Sequence, residues 1–290
     1  MLITLENEKV VVRAKSQGAE LTSILLKEDN TEYLWQGNPK FWARHAPILF
    51  PIVGKLVDNT CCIDNKTYNM SQHGFARDME FEVISQSDTE VVFVLNSSEE
   101  TLRKYPYFFD LRVIYKVINN DIVITYIVKN TGSEDMYFSI GAHPAFNWPF
   151  GPDGIQDGYY LEFEQAETIG SRVLNEGVIS NNVAPVLNNQ NIIQLDTSLF
   201  KDDALILQGL NSNKVSIKTN SSRKSVTVDF NGFPYLGIWS KPEGAPFVCI
   251  EPWFGIADTE SSTGNIKEKE GILRLNPGKE FSCEYKITVK

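Results

Sequence analysis

Over much of this chain, polar and apolar residues alternate one for one. Phe281, Cys283, Tyr285, Ile287 and Val289 alternate with Ser282, Glu284, Lys286 and Thr288, while Val215 and Ile217 flank Ser216 and Val226 and Val228 flank Thr227. Successive side chains of a strand point to opposite faces, so this period predicts strands with one face buried. Residues 122–128 form a β-branched and nearly continuous apolar run, which predicts a central strand covered on both faces. Polar turn clusters separate the runs: Asn119-Asn120-Asp121, Asn130-Thr131-Gly132-Ser133, Asn211-Ser212-Asn213 and Asn276-Pro277-Gly278. Hairpins with polar tips fit them. One short helix is expected over residues 98–104, where acids precede bases as the helix dipole favours. Residues 148–158 read as a long loop. With no linker, repeat or low-complexity segment, the pattern predicts an all-β chain, a single domain over 1–290 built as one large antiparallel β-sandwich.

Composition narrows the function. The 290 residues are 42% hydrophobic and 22% charged, the balance of an ordinary globular protein. A net charge of −10, with no Lys/Arg cluster, argues against nucleic acid as a partner. The amino terminus meets charge at Glu6, too early for a secretory signal, and no apolar run is long enough to cross a bilayer. The four cysteines, Cys61, Cys62, Cys249 and Cys283, lack Cys-x-x-Cys spacing, and the adjacent Cys61 and Cys62 should project to opposite sides of a strand. Buried thiols in a reducing compartment follow, hence a soluble cytoplasmic protein with no membrane partner.

Candidate chemistry gathers in short motifs. Of three histidines, His73 lies in Gln72-His73-Gly74-Phe75-Ala76-Arg77 and His143 in Gly141-Ala142-His143-Pro144-Ala145-Phe146. Imidazole exchanges protons near neutrality. Pro144 biases His143 toward an extended backbone at the end of a strand, a rigid place from which to aim a side chain. Glu251 ends the run Pro246-Phe247-Val248-Cys249-Ile250, and a carboxylate abutting a buried strand needs a partner or a function. Trp239, Trp253 and Phe254 offer flat faces for sugar C–H groups. Arg44 opens Arg44-His45-Ala46-Pro47-Ile48-Leu49-Phe50-Pro51, whose prolines suit a sheet edge or a loop. Its guanidinium offers fixed donors to hydroxyls, although a surface ion pair is the commoner fate of such an arginine. The pair Asp202-Asp203 stands at the mouth of another apolar run. Histidine spacing gives no metal signature, and no dinucleotide or phosphate-loop motif points to a nucleotide cofactor.

Taken in order, the Arg44, His73, His143 and Glu251-Pro252-Trp253 motifs resemble the aldose 1-epimerase (mutarotase) family, and within it the LacX-like branch, over essentially the whole chain. The resemblance implies a galactose mutarotase-like β-supersandwich and interconversion of the α and β anomers of an aldohexose or hexose 6-phosphate without a cofactor. It also implies roles: Glu251 as general base, His143 as general acid, His73 and Arg44 around the sugar ring oxygen, and Asp203, with Asp202 beside it, holding the substrate. Lys55, Arg77 and Lys241 are candidate cations should the sugar carry a phosphate. His143 and Glu251 are expected to converge on one hexose from opposite sides. A glycoside hydrolase would instead need two flanking carboxylates, and a non-catalytic sugar-binding module would need no proton-transfer pair.

Overall fold

The computed structural model describes residues 1–151 and 155–290. The centre of the loop expected over 148–158 therefore lies outside the described residues. Among the described residues, fifteen strands make one sheet and four make another. The smaller sheet follows chain order through Leu2–Glu6, Val10–Lys15, Glu20–Leu26 and Thr31–Glu32. The larger one starts at the short edge strand Ile48–Leu49, where the prolines placed it, and continues through Ile140–Ala142, Phe247–Phe254, Tyr235–Trp239, Leu205–Gln208 and Tyr159–Asn175. It then runs through Lys214–Thr219, Ser225–Asp229, Glu280–Val289, Asp121–Asn130, Phe109–Ile118, Glu90–Asn96 and Glu82–Gln86. All the strand pairs just named are antiparallel.

The alternation read from the sequence is the pleat of these strands. In Glu280–Val289, Cys283, Tyr285, Ile287 and Val289 are buried and the residues between them are not. Asp121–Asn130 corrects the expectation for residues 122–128. It is central, but Ile122, Ile124, Tyr126 and Val128 are buried while Val123, Thr125 and Ile127 are only half-buried. The outward set lies beside polar neighbours, Val123 opposite Lys286 and Thr125 opposite Glu284. β-branched residues suit either side of a pleated strand, so their abundance does not report how many faces are covered. The inward set belongs to the main core, which also takes in the buried residues of the smaller sheet, and the Tyr115 hydroxyl on the neighbouring strand Phe109–Ile118 donates to the Ala19 carbonyl at 2.7 Å.

Two features prepare the site. The helix Glu99–Lys104 forms where expected, capped by Ser98, and is peripheral. The hairpin Tyr159–Asn175/Val178–Gln194 turns at Glu176 and Gly177, both with positive φ (51° and 83°), the backbone a tight two-residue turn demands. Its tip docks on the segment after Phe254, since the Ile179 amide donates to Asp258 O at 2.8 Å and the Glu260 amide to Ile179 O at 3.0 Å. Cys61 and Cys62 sit on Thr60–Ile63, the first buried and the second half-buried, and all four thiols are free. No helix among the described residues is long and apolar enough to cross a membrane.

Candidate active site

Strand register brings the two principal residues together. Phe247–Phe254 pairs on one side with Ile140–Ala142, Gly141 opposite Trp253, and farther along with Ala145–Asn147, Ala145 opposite Cys249. These pairs bracket His143, which falls opposite Glu251 in the interrupted stretch. His143 Nε2 stands 3.3 Å from Glu251 Oε2. On the other flank Gly237 pairs with Glu251. A Cβ on Gly237 would come within 2.4 Å of the Trp253 ring and one on Gly141 within 2.6 Å. The two glycines thus let the Trp253 indole lie flat across the sheet beside Glu251.

His73 is held by a different device. Its backbone is left-handed (φ 67°), as is that of Gly74 (φ 71°), where a Cβ would meet the Phe50 carbonyl oxygen at 2.3 Å. His73 and Gly54 are joined twice: the His73 amide donates to Gly54 O at 2.9 Å, and the Gly54 amide donates to His73 Nδ1 at 3.1 Å. An Nδ1 that accepts leaves the proton of a neutral ring on Nε2. His73 is therefore a fixed N–H donor beside His143, with ring centroids 5.6 Å apart. Trp42 stacks on His143 at 4.9 Å and Trp239 meets it edge-on at 5.6 Å.

These side chains line a cavity of about 430 Å³, together with Gln72, Arg77, Asp203, Lys241 and the hairpin-tip residues Leu174 and Gly177. Asp203, not Asp202, lines it; Asp202 faces only the adjoining outer cleft, with Lys55 and Lys201. Lys55 donates from Nζ to Glu176 O at 2.8 Å. Arg44 is the expectation that the geometry revises. Its Nη2 is drawn to Asp78 Oδ1 at 2.8 Å, and it is not among the lining residues. Arg77 takes the inner position, donating from Nη2 to Gln72 O at 2.6 Å. The other revision concerns the pair itself: His143 and Glu251 stand side by side, not on opposite sides of a sugar-sized space.

The sequence of the aldose 1-epimerase family matches residues 1–274 of this chain. The chain belongs to the aldose 1-epimerase family. It is similar to the plasmid and chromosomal LacX proteins of Lactococcus lactis subsp. lactis, at 37% identity over 299 residues, covering 100% of this chain and 99% of each of them. Among solved structures it resembles a galactose mutarotase related enzyme from Lactobacillus acidophilus (37% identity, 100% and 97% of the two chains, TM-score 0.95). It also resembles a galactose mutarotase-like protein from Lactobacillus casei (35% identity, 100% of both chains, TM-score 0.93). The expected galactose mutarotase-like fold is thereby shown, and the protein is an isomerase of the epimerase type.

Electrostatics in the epimerase cavity favour neutral forms. Burial pushes Glu251 well above the usual carboxylate range, and the charge of Asp203 adds to this. Burial likewise pushes His143 down to about 3, with Arg77 and Arg44 reinforcing it. His73 is held well below the usual histidine range by burial, by His143 and by the same two arginines. Glu251 Oε2, His143 Nδ1 and Trp253 Nε1 are buried with no hydrogen-bond partner among the described residues. Sequence reasoning underrated Trp42, Gln72 and Lys241. Trp42 lies two residues before Arg44 in the same motif, and its ring stacks on His143.

Proposed function

We propose that this epimerase interconverts the α and β anomers of an aldohexose, with Glu251 and His143 moving the two protons. The observation that carries the reading is their 3.3 Å approach in the wall of a sugar-sized cavity. The anomeric hydroxyl and the ring oxygen share one carbon, so two groups that stand next to one another can serve both. The pair holds one proton between them whether it is written as acid and imidazole or as carboxylate and imidazolium. Sugar hydroxyls entering the cavity stabilise the charged arrangement, so the working state forms without exchange with solvent. Glu251 then removes the proton from the anomeric hydroxyl while His143 protonates the ring oxygen and the C1–ring oxygen bond breaks. Rotation about C1–C2 presents the other face of the aldehyde, and the same transfers in reverse close the ring.

The neutral His73 N–H and the Arg77 guanidinium stabilise charge growing on the ring oxygen. Asp203 holds sugar hydroxyls, and Trp239, Trp42 and Trp253 supply stacking faces. Arg44 acts from outside the cavity through its charge. Both proton movements come from side chains, so the reaction calls for no cofactor.

The test is polarimetry or NMR exchange on freshly dissolved α-glucose and α-galactose and their 6-phosphates. Acceleration over the spontaneous rate by the wild-type protein, abolished in Glu251→Gln and His143→Asn, is the expected result. Near-normal rates in either folded variant overturn the roles. Tight sugar binding with no anomer exchange identifies a sugar-binding module instead. Preference for the 6-phosphates would assign Arg77 and Lys241, both on the cavity wall, to the phosphate.

A further inference from the structure

Behind the proton-transfer pair lies a third ligating group that ring opening does not use. Cys249 precedes Glu251 by two residues on Phe247–Phe254, so both project from the same face of the strand. One ligand atom each from His143, Cys249 and Glu251 lie within 4.8 Å of one another, and all three side chains are buried. Glu251 is 1% exposed, and its Oε2 makes no hydrogen bond among the described residues although the side chain faces the cavity.

The donor set selects the ion. Imidazole, thiolate and carboxylate together suit zinc and similar borderline cations, whereas magnesium and calcium want an all-oxygen shell. Zinc bonds of about 2.0–2.3 Å in a tetrahedron put ligand atoms roughly 3.5 Å apart. The His143–Glu251 separation of 3.3 Å already meets that spacing. The Cys249 sulfur lies within 4.8 Å of both of those ligand atoms. Cys249 belongs to a buried apolar cluster against which Trp42 and Trp239 pack, and this cluster keeps water from the sulfur side.

We propose that His143, Cys249 and Glu251 form a three-ligand site for a zinc-type divalent cation, with its fourth position open to the sugar cavity, and that filling it stops the enzyme. Binding displaces the thiol proton of Cys249 and any proton carried by Glu251 to solvent, and metal–sulfur, metal–nitrogen and metal–oxygen bonds form in their place. The lone pairs that would move sugar protons are then engaged, so metal and sugar exclude one another. The inhibition rests on the proposed roles of His143 and Glu251; the binding does not.

Cobalt(II), which reports sulfur ligation by a thiolate charge-transfer band, and zinc calorimetry on the full-length protein test the site directly. The wild type and a Cys62→Ala control should bind one ion with that band. Cys249→Ala and Cys249→Ser should lose the band and weaken zinc at least about a hundredfold, more than losing a supporting contact costs. Both Cys249 variants should keep anomer exchange and resist zinc, while magnesium affects none of the proteins. A cobalt spectrum without the sulfur band, or zinc affinity unchanged in the Cys249 variants, overturns the proposal. These readouts hold even if no sugar is turned over, so failure of the site and failure of the proposed reaction are told apart.

Discussion

Within the large sheet, the ladder of Phe109–Ile118, Asp121–Asn130 and Glu280–Val289 and the broken strands around Glu251 obey different rules. In the ladder each strand buries alternate residues, and partners match over nine or ten positions. Around Glu251, Phe247–Phe254 is buried on both faces until its last residue, while its partners Ile140–Ala142 and Ala145–Asn147 shrink to three residues each. Val248 and Ile250 point into the main core; Cys249, Glu251 and Trp253 point toward the cavity side. One region maximises regular packing, and the other gives up ladder length to aim charged groups. Buried charge follows the same division. Asp258 and Lys269 lie 3.1 Å apart, with the Val57 amide donating to Asp258 and Lys269 Nζ donating to Ile256 O. Glu251 has only the His143 ring 3.3 Å away, and its Oε2 accepts no hydrogen bond among the described residues.

Replacing the reactive carboxyl breaks this contrast most severely. Glu251→Gln is expected to lower kcat by roughly 10²–10⁴-fold, the usual contribution of a positioned acid–base group. The same change should raise thermal stability at neutral pH. Glu251 has a raised folded pKa, so its contribution is intact below the unfolded value of 4.5 and is lost as pH rises toward the folded value. Glutamine does not titrate, so the melting-temperature gap should open above pH 4.5 and close below it. A variant melting below wild type at pH 7 would refute the account.

Next in size, Lys269→Met leaves Asp258 buried and unpaired and should cost about 3–5 kcal/mol in denaturant melts. Because Asp258 holds the hairpin tip through Ile179, KM should rise before kcat changes. Gly237→Ala sharpens the comparison at a smaller scale. Its methyl would overlap Trp253, at about 1–3 kcal/mol for overpacking, with a shifted indole fluorescence. The smallest effect belongs to the outward face of the ladder. Thr125→Ala removes an exposed hydrogen bond to Glu284 and should stay within about 0.5 kcal/mol with unchanged turnover.

The sequence reveals the ladder because pleat and burial share one period there, as in Phe281 to Val289. It reveals the α-helix Glu99–Lys104 because acids precede bases there. His143 and Glu251 stand out because each interrupts an apolar run. What stays hidden are relations across the chain. Asp78 captures Arg44 from thirty-four residues away, and nothing local separates Arg44 from Arg77. The hairpin tip supplies Leu174 and Gly177 through docking that leaves no periodic trace. Trp253 looks like ordinary core until Gly141 and Gly237 are seen beneath it. The two-faced burial inferred for residues 122–128 belongs instead to Phe247–Phe254, because β-branched composition signals the pleat and not what covers it.

The bracketing of His143 by Gly141–Trp253 and Ala145–Cys249 also bears on how the chain avoids misassembly. A slip of one residue in Phe247–Phe254 would set Ile250 against the imidazole and drive a carboxyl into hydrocarbon. Such a mispaired state would incur the full penalty of an ionisable group without water or function, and it would be abandoned. The side chain proposed to run the reaction thus also proofreads the strand that carries it.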